Sequence, residues 1–221
     1  MTQRKRLRNA VPPMARRRPD TDNRPPRGSA RASVRPLAAR VRSFPPIGRT
    51  TAHTLILGTM PGVASLAAGQ YYGHPRNAFW PIVGELFGFD PTGDYATRVR
   101  SLADSQIAVW DVLASCERAG SLDSRIDPDS VVPNDFARFF AAHRRIERIC
   151  FNGGNAETLF RKHVLPSLES VAAELVRLPS TSPANASVSR ERKLHAWRIA
   201  LAPHDSLGPP ALHNAASVAV P

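Results

Sequence analysis

Cysteines, long apolar runs and nucleotide-binding motifs are scarce or missing in this sequence of 221 residues. Its two cysteines, Cys116 and Cys150, form no CxxC pair, which argues against a zinc or iron–sulfur module and predicts two buried free thiols. No apolar run approaches the ~20 residues of a membrane-spanning helix, and no apolar segment follows the first arginines as in a secretory signal. Walker, G-x-G-x-x-G and G-x-S-x-G motifs are absent, so triphosphate or dinucleotide binding and serine-hydrolase chemistry are not expected.

Acidic residues are scarce at the amino terminus. Residues 1–43 hold 13 of the 30 lysines and arginines but only two of the 18 acids, Asp20 and Asp22. Few large apolar side chains offset the chain entropy there, so we expect a disordered basic arm. Such an arm can neutralise phosphates in sequence-independent nucleic-acid binding; a solvated extension, a transit peptide or an overextended start codon are the alternatives. Residues 203–221 lack periodicity and are expected to form a second disordered tail.

Short apolar runs alternate with helical patterns between residues 44 and 202. Buried strands are predicted at 54–57, 107–113, 146–151 and 175–178. Helices are predicted at 77–87 and 95–102, after an N-cap at Asn134, after residue 155, and at 190–201. This alternation predicts one α/β domain, a three-layer α/β/α sandwich with a central, mostly parallel four-stranded sheet.

Each predicted strand ends in a polar or glycine-rich loop: 58–77, 111–127, 152–155 and 179–187. Because the carboxyl ends of parallel strands share one sheet edge, we expect these loops to converge on a ligand. Hydroxyls, amides and backbone N–H groups in the last two loops suit a sugar–phosphate backbone, although ordinary turn and capping chemistry explains them equally. The histidines show no ligand spacing, so a metal site is not expected.

Three motifs carry a resemblance to a known family. They are GTMPG at 58–62, GQYYGHPRNAFW at 69–80 and LPSTSPAN at 178–185, with WDVL and FNG between them. Together they resemble the uracil-DNA glycosylase superfamily, and most closely its hypoxanthine-DNA (deoxyinosine) glycosylase branch, over about residues 44–201.

The resemblance implies a monomeric, cytoplasmic and nucleoid-associated enzyme that needs no cofactor, metal or membrane. It would flip a deaminated base, hypoxanthine or also uracil, out of double-stranded DNA and hydrolyse its N-glycosidic bond, leaving an abasic site. The alternatives are a G/U mismatch-specific uracil glycosylase and a catalytically silent DNA-binding module.

The resemblance also implies roles for individual residues. Those expected at the base are Gly58, Met60, Pro61, Gly62, Tyr72, His74, Phe79 and Asp111. Those expected at the DNA backbone and in its groove are Asn152, Gly153, Ser180, Thr181, Ser182, Pro183, Ala184, Asn185 and Ser187.

Two positions depart from the family pattern. Other branches place a polar residue where Met60 and Leu178 stand here, and neither side chain can orient water. The Asn77 amide is therefore our catalytic candidate, because it can hold a water by hydrogen bonding. Tyr72 is expected to stack on the base. Asp111 would accept from a ring N–H or, when protonated, donate to O6 of hypoxanthine; a turn or helix cap is the alternative.

Overall fold

The structure is a computed structural model that describes residues 39–202. The predictions for residues 1–38 and 203–221 lie outside that range. The strands are β1 (Ala39–Arg42), β2 (Thr54–Gly58), β3 (Ile107–Asp111), β4 (Leu113–Arg118), β5 (Val132–Pro133), β6 (Arg148–Asn152) and β7 (Glu174–Leu178). The α-helices are α1 (Val63–Ala68), α2 (Phe79–Phe87), α3 (Tyr95–Asp104), α4 (Phe136–Ala142), α5 (Gly154–Leu159) and α6 (Arg190–Leu201).

A parallel sheet with the strand order β3-β2-β6-β7 forms the centre of the domain. Its inner strands are the apolar runs 55–57 and 149–151, which are fully buried. Runs of this kind fit strands that are covered on both faces. The predicted four-stranded parallel sheet is thus confirmed, and Cys116 and Cys150 are buried free thiols as expected.

Helices α4 and α5 cover one face of this sheet. The strand register places Leu57 between Trp110 and Phe151, and side chains at such paired positions point to the same side. On that side the Trp110 ring packs against Phe136 of α4. Phe151 packs against Phe160, which begins a π-helical turn that continues α5.

Helices α2 and α6 cover the opposite face. Arg148 points to that side of β6, and its guanidinium donates to the Ala200 carbonyl of α6 at 2.6 Å. The Phe79 ring of α2 meets Trp197 of α6 edge-on, with a centroid distance of 5.9 Å. The central sheet therefore lies between two helical layers, as the sequence pattern predicted.

A second, antiparallel sheet was not predicted. The strand expected at 107–113 ends at Asp111, and after Val112 the chain enters β4, which pairs with β1 and β5. The predicted loop at 111–127 includes β4, which is therefore a correction to the sequence prediction. Arg118 is nevertheless buried, since its guanidinium donates to three backbone carbonyls. Composition does not reveal such a partner.

Three local predictions also need correction. The chain at Ala39–Arg42 forms β1, although we included it in the disordered arm. The loop expected at 58–77 contains the short helix α1. The N-cap of α4 is Asp135, whose side chain accepts from the Arg138 backbone N–H at 3.0 Å, and not Asn134. Asn134 instead donates through Nδ2 to the Asp111 carbonyl at 2.8 Å.

Candidate active site

A cleft of about 370 Å³ opens at the carboxyl edge of the parallel sheet. All four loops that follow the predicted strands contribute to its lining, so the structure brings them together as expected. The predicted site residues that line it are Gly58, Met60, Pro61, Gly62, Tyr72, His74, Asn77, Asp111, Asn152, Ser180, Thr181, Ser182, Pro183, Ala184 and Asn185. Phe79, Gly153 and Ser187 are not among the lining residues.

Gly58 and Asp111 form the floor of the cleft at the ends of β2 and β3. A Cβ on Gly58 would collide with Asp111 Oδ1 and would lie 3.3 Å from the Tyr72 hydroxyl. Glycine is therefore required for the carboxylate and the tyrosine to approach the end of β2. The Asp111 side chain is 3% exposed, and the Ser43 hydroxyl donates to its Oδ2 at 2.9 Å.

Burial dominates the electrostatics of Asp111. It is the main reason why the pKa of this carboxyl is raised to about 7, and the nearby charge of Asp123 contributes to the rise. The Ser43 hydrogen bond and the Arg118 charge act in the opposite direction, because both favour the ionised form. Asp111 can therefore hold or release a proton close to neutral pH.

Tyr72 is strained and lies directly in the cleft. Its φ of 55° is in the left-handed region, which is unfavourable for a bulky residue and is found most often at functional sites. Its ring stacks on Phe79 with a centroid distance of 3.9 Å and an interplanar angle of 22°. Phe79 is fully buried and so supports Tyr72 from behind, where we had expected it at the base.

The Tyr72 hydroxyl is buried without a hydrogen-bond partner among residues 39–202. Burial and the Asp111 charge raise its pKa and outweigh the lowering by the nearby Asn152 side chain, so the phenol stays protonated. The neighbouring Tyr71 is different, because its hydroxyl donates to the Phe44 carbonyl at 3.1 Å and its ring belongs to the core. Both tyrosines line the cleft, but only the Tyr71 hydroxyl is already bonded to the backbone.

Asn77 lines the cleft just before α2. Its side-chain oxygen accepts from the Phe79 backbone N–H at 3.0 Å. Because an N–H group can only donate, this contact identifies which end of the Asn77 amide is the oxygen. The NH2 group of the amide takes no part in this contact. The adjacent Ala78 N–H donates to the Thr181 carbonyl at 3.0 Å, which ties this wall to the loop after β7.

His74 lines the same wall, while Arg76 is exposed outside the cleft lining. The Nδ1 atom of His74 accepts from the Arg76 backbone N–H at 3.0 Å. This contact fixes Nδ1 as an acceptor and so places the proton of the neutral ring on Nε2.

A reciprocal pair of hydrogen bonds fixes the opposite wall. Asn152 donates through Nδ2 to Thr181 Oγ1 at 2.9 Å, and its Oδ1 accepts from the Thr181 N–H at 2.8 Å. Gly153 lies behind this pair with a φ of 108°, and a Cβ there would approach Ser180 Cβ to 2.9 Å. Gly153 therefore allows the loop after β6 to approach the loop after β7 closely.

Contacts from α6 hold the loop 179–187 in place. Lys193 donates to the Asn185 carbonyl at 2.8 Å and Trp197 donates to the Pro179 carbonyl at 3.0 Å. Asn185 also donates through Nδ2 to the Ser180 carbonyl at 3.1 Å. Ser187 is exposed beyond this fixed part of the loop. The hydroxyl and amide groups of the loop 179–187 are therefore held in place by contacts with α6.

Arg118 and Asp123 are site residues that the sequence reasoning missed. Arg118 donates to the carbonyls of Met60 and Pro61, so β4 supports the first motif from below. Asp123 lies 3.7 Å from the Arg118 guanidinium and lines the cleft. Burial raises its pKa, while Thr59 lowers it by hydrogen bonding to the ionised form. The only sequence signal was the unexplained polar stretch at 115–127.

Within residues 39–202, no three His, Cys, Asp or Glu side chains are grouped so that they could hold a metal ion. None of the helices in that range is long and apolar enough to cross a membrane.

Comparison with known proteins gives consistent matches. The family model described as the uracil DNA glycosylase superfamily matches residues 45–201. A curated hypoxanthine DNA glycosylase of Methanosarcina acetivorans is 34% identical over 153 residues, which cover 69% of this chain and 92% of the relative. A curated protein of the same description from Methanosarcina barkeri is 31% identical over the same shares.

The fold agrees with these matches. A solution NMR structure of a uracil DNA glycosylase candidate from Methanosarcina acetivorans aligns with a TM-score of 0.61 and 32% identity. The alignment covers 74% of this chain and 97% of the other. The resemblance drawn from the motifs is therefore confirmed, and the chain belongs to the uracil DNA glycosylase superfamily.

Proposed function

We propose that the protein is a DNA glycosylase that removes a deaminated base, hypoxanthine first and uracil second, and leaves an abasic site. The observation that carries this proposal is the convergence of Asn77, Tyr72 and Asp111 with the loop 180–185 around one cleft of a superfamily fold. Two relatives that cover most of the domain are described as hypoxanthine DNA glycosylases, which favours hypoxanthine as the preferred base.

In this proposal the flipped base enters between Tyr72 and the opposite wall. Extruding a base costs a few kcal/mol, and less when the base is mispaired, which favours deaminated sites. The Tyr72 ring, supported by Phe79, offers a flat surface for stacking. Asp111 lies at the floor, where it can bind the Watson–Crick edge of the base.

Asn77 holds the attacking water. Its amide oxygen keeps a second lone pair beside the bond from Phe79, and its amide nitrogen has two N–H groups. Met60 stands in the turn where other branches have a polar residue, and its thioether cannot take that part. Asn77 is not itself a base, so binding of the leaving base and stabilisation of the cationic sugar carry much of the rate.

The loop 180–185 contacts the DNA backbone and groove. Its hydroxyls and backbone N–H groups can bind phosphate oxygens, which fixes the register of the enzyme on the duplex without reading sequence. The Asn152–Thr181 pair and the contacts from α6 tie this loop to the domain and favour the conformation seen here. Little entropy is then lost when DNA binds.

The decisive experiment is single-turnover cleavage of duplexes that carry one deoxyinosine or one deoxyuridine. We expect the wild type to release hypoxanthine, and the Asn77→Ala variant to be slower by about 10²- to 10³-fold, as for removal of one transition-state hydrogen bond. Gln70→Ala is the matched control, because it removes an amide from the same loop outside the cleft lining.

Three results would contradict parts of the proposal. Full activity of Asn77→Ala would remove Asn77 from the mechanism. Faster cleavage at deoxyuridine opposite guanine would favour the mismatch-specific uracil enzyme. Retained DNA binding with no abasic product at high enzyme excess would favour the silent binding module, which the apolar side chains at Met60 and Leu178 would then explain.

A further inference from the structure

Ser43 connects the segment before β2 to the floor of the cleft. Its backbone N–H donates to the Ala114 carbonyl of β4 at 2.9 Å. The next residue, Phe44, accepts through its carbonyl from the Tyr71 hydroxyl and from Trp110 Nε1, each at 3.1 Å. The Ser43 side chain is therefore held from both sides and is not part of a loose arm.

The Ser43 hydroxyl has three neighbours that it can bond, namely Asp111, the Phe44 carbonyl and the Tyr71 hydroxyl. It lies 2.9 Å from Asp111 Oδ2 and 3.3 Å from the Phe44 carbonyl. A hydroxyl carries one hydrogen and two lone pairs. When Asp111 is ionised, the Ser43 hydroxyl can donate its hydrogen to Oδ2. When Oδ2 carries a proton, the hydroxyl can accept that hydrogen bond and donate its own hydrogen to the Phe44 carbonyl. In either state Oδ2 is engaged, whereas Oδ1 makes no hydrogen bond among the described residues.

We propose that Ser43 is a specificity-determining positioning residue, which holds Asp111 so that Oδ1 faces the cleft as a hydrogen-bond acceptor whether the carboxyl is ionised or protonated. This inference rests on the proposed function and deepens it. An acceptor at this point distinguishes each deaminated base from its parent, because hypoxanthine has a ring N–H at N1 and uracil has one at N3; guanine and thymine also carry a ring N–H and must be rejected by other contacts. Adenine and cytosine carry lone pairs at those atoms and would leave two acceptors facing each other.

The constraint matters because both protonation states of Asp111 occur near neutral pH, where burial has placed its pKa. The other titratable and charged groups that face Asp111 are Tyr71, Tyr72, Arg118 and Asp123. The two tyrosines stay protonated in this range, since burial raises the pKa of each. Without Ser43, the proton of a neutral Asp111 can turn to Oδ1 and oppose the ring N–H.

The test compares single-turnover release of hypoxanthine by the wild type, Ser43→Ala and Ser43→Thr between about pH 6 and about pH 8. As the pH falls across this range, the rate of Ser43→Ala should decrease by a factor about ten times larger than that for the wild type. This difference corresponds to one lost hydrogen bond. Ser43→Thr, which keeps the hydroxyl, should restore the wild-type profile. Ser105→Ala removes a hydroxyl at the end of α3 outside the cleft lining and should leave the profile unchanged.

A merely structural role would lower the rate of Ser43→Ala by the same factor at every pH, and that result would overturn the inference. If the wild type releases neither hypoxanthine nor uracil, the proposed function fails by itself. The Asp111 carboxyl can then be titrated directly by NMR in the wild type and in Ser43→Ala. A higher pKa in the variant would support the contact, because the lost hydrogen bond favours the ionised form; an unchanged titration would refute it.

Discussion

Replacing Asp111 by asparagine should stabilise the protein at alkaline pH. The carboxyl is almost fully buried at the end of β3, and its charge is compensated only by the Ser43 hydroxyl and the more distant Arg118. Asparagine keeps the shape without the charge. Its amide can donate to the Ser43 hydroxyl, which then donates to the Phe44 carbonyl.

The pKa of Asp111 gives the size of the effect. Its rise from 3.8 to about 7 spans about three pH units, and at about 1.4 kcal/mol per unit the ionised carboxyl costs about 4 kcal/mol of folding free energy. Between these two values the native state binds the proton more tightly than the unfolded chain. The contribution of Asp111 to stability is thus full below the lower value and is lost as the pH rises through about 7.

Urea unfolding followed by tryptophan fluorescence measures this difference. The unfolding free energies of Asp111→Asn and the wild type should agree near pH 4, and the variant should be more stable by about 4 kcal/mol near pH 8. Groups that do not interact with Asp111 titrate equally in both proteins and cancel in the comparison. A difference that does not change with pH, or a variant that is less stable at pH 8, would refute the reasoning from burial.

Two further predictions concern the loop after β7 and the basic arm. Gly153→Ala should lower the free energy of unfolding by about 2 kcal/mol and weaken binding to abasic-site DNA, because the new Cβ would lie 2.9 Å from Ser180 at a residue with a positive φ. Gly154→Ala is the control, since its Cβ would meet nothing within 3.8 Å. Equal effects of the two substitutions would contradict the assignment. A chain that begins at Ala39 should show a flatter salt dependence of DNA binding with nearly unchanged single-turnover cleavage, and equal salt slopes would remove the arm from DNA binding.

The sequence predicts what depends on local pattern. The buried runs at 55–57 and 149–151 are apolar at successive positions, so their place inside a parallel sheet could be recognised. Helix α6 was likewise bounded correctly, and it begins after an N-cap, Ser189, whose side chain accepts from the Arg192 backbone N–H. The motif loops could be matched to a family because they keep a specific order of residues at the strand ends.

Other features depend on contacts between distant segments and have no local signal. From the sequence alone, Arg118 is expected at the surface. In the structure it is buried because its guanidinium bonds the carbonyls of Met60 and Pro61. Asn134 and Asp135 are equally good helix caps by residue type. Asn134 bonds the Asp111 carbonyl, and Asp135 caps α4. Ser43 adjoins an arginine-rich stretch, so nothing in its neighbourhood indicates a contact with the cleft floor.

The distribution of unfavourable features in the described domain supports the location of the site independently of any motif. Three of them occur around Gly58: a buried carboxyl at Asp111, and at Tyr72 both a left-handed backbone and a buried hydroxyl without a partner. Each of these features lowers the stability of the fold. A substitution such as Asp111→Asn would remove one of them while keeping the shape of the side chain. Proteins retain such combinations where a ligand uses them. The three features lie close together, since Oδ1 of Asp111 and the Tyr72 hydroxyl are both beside the end of β2.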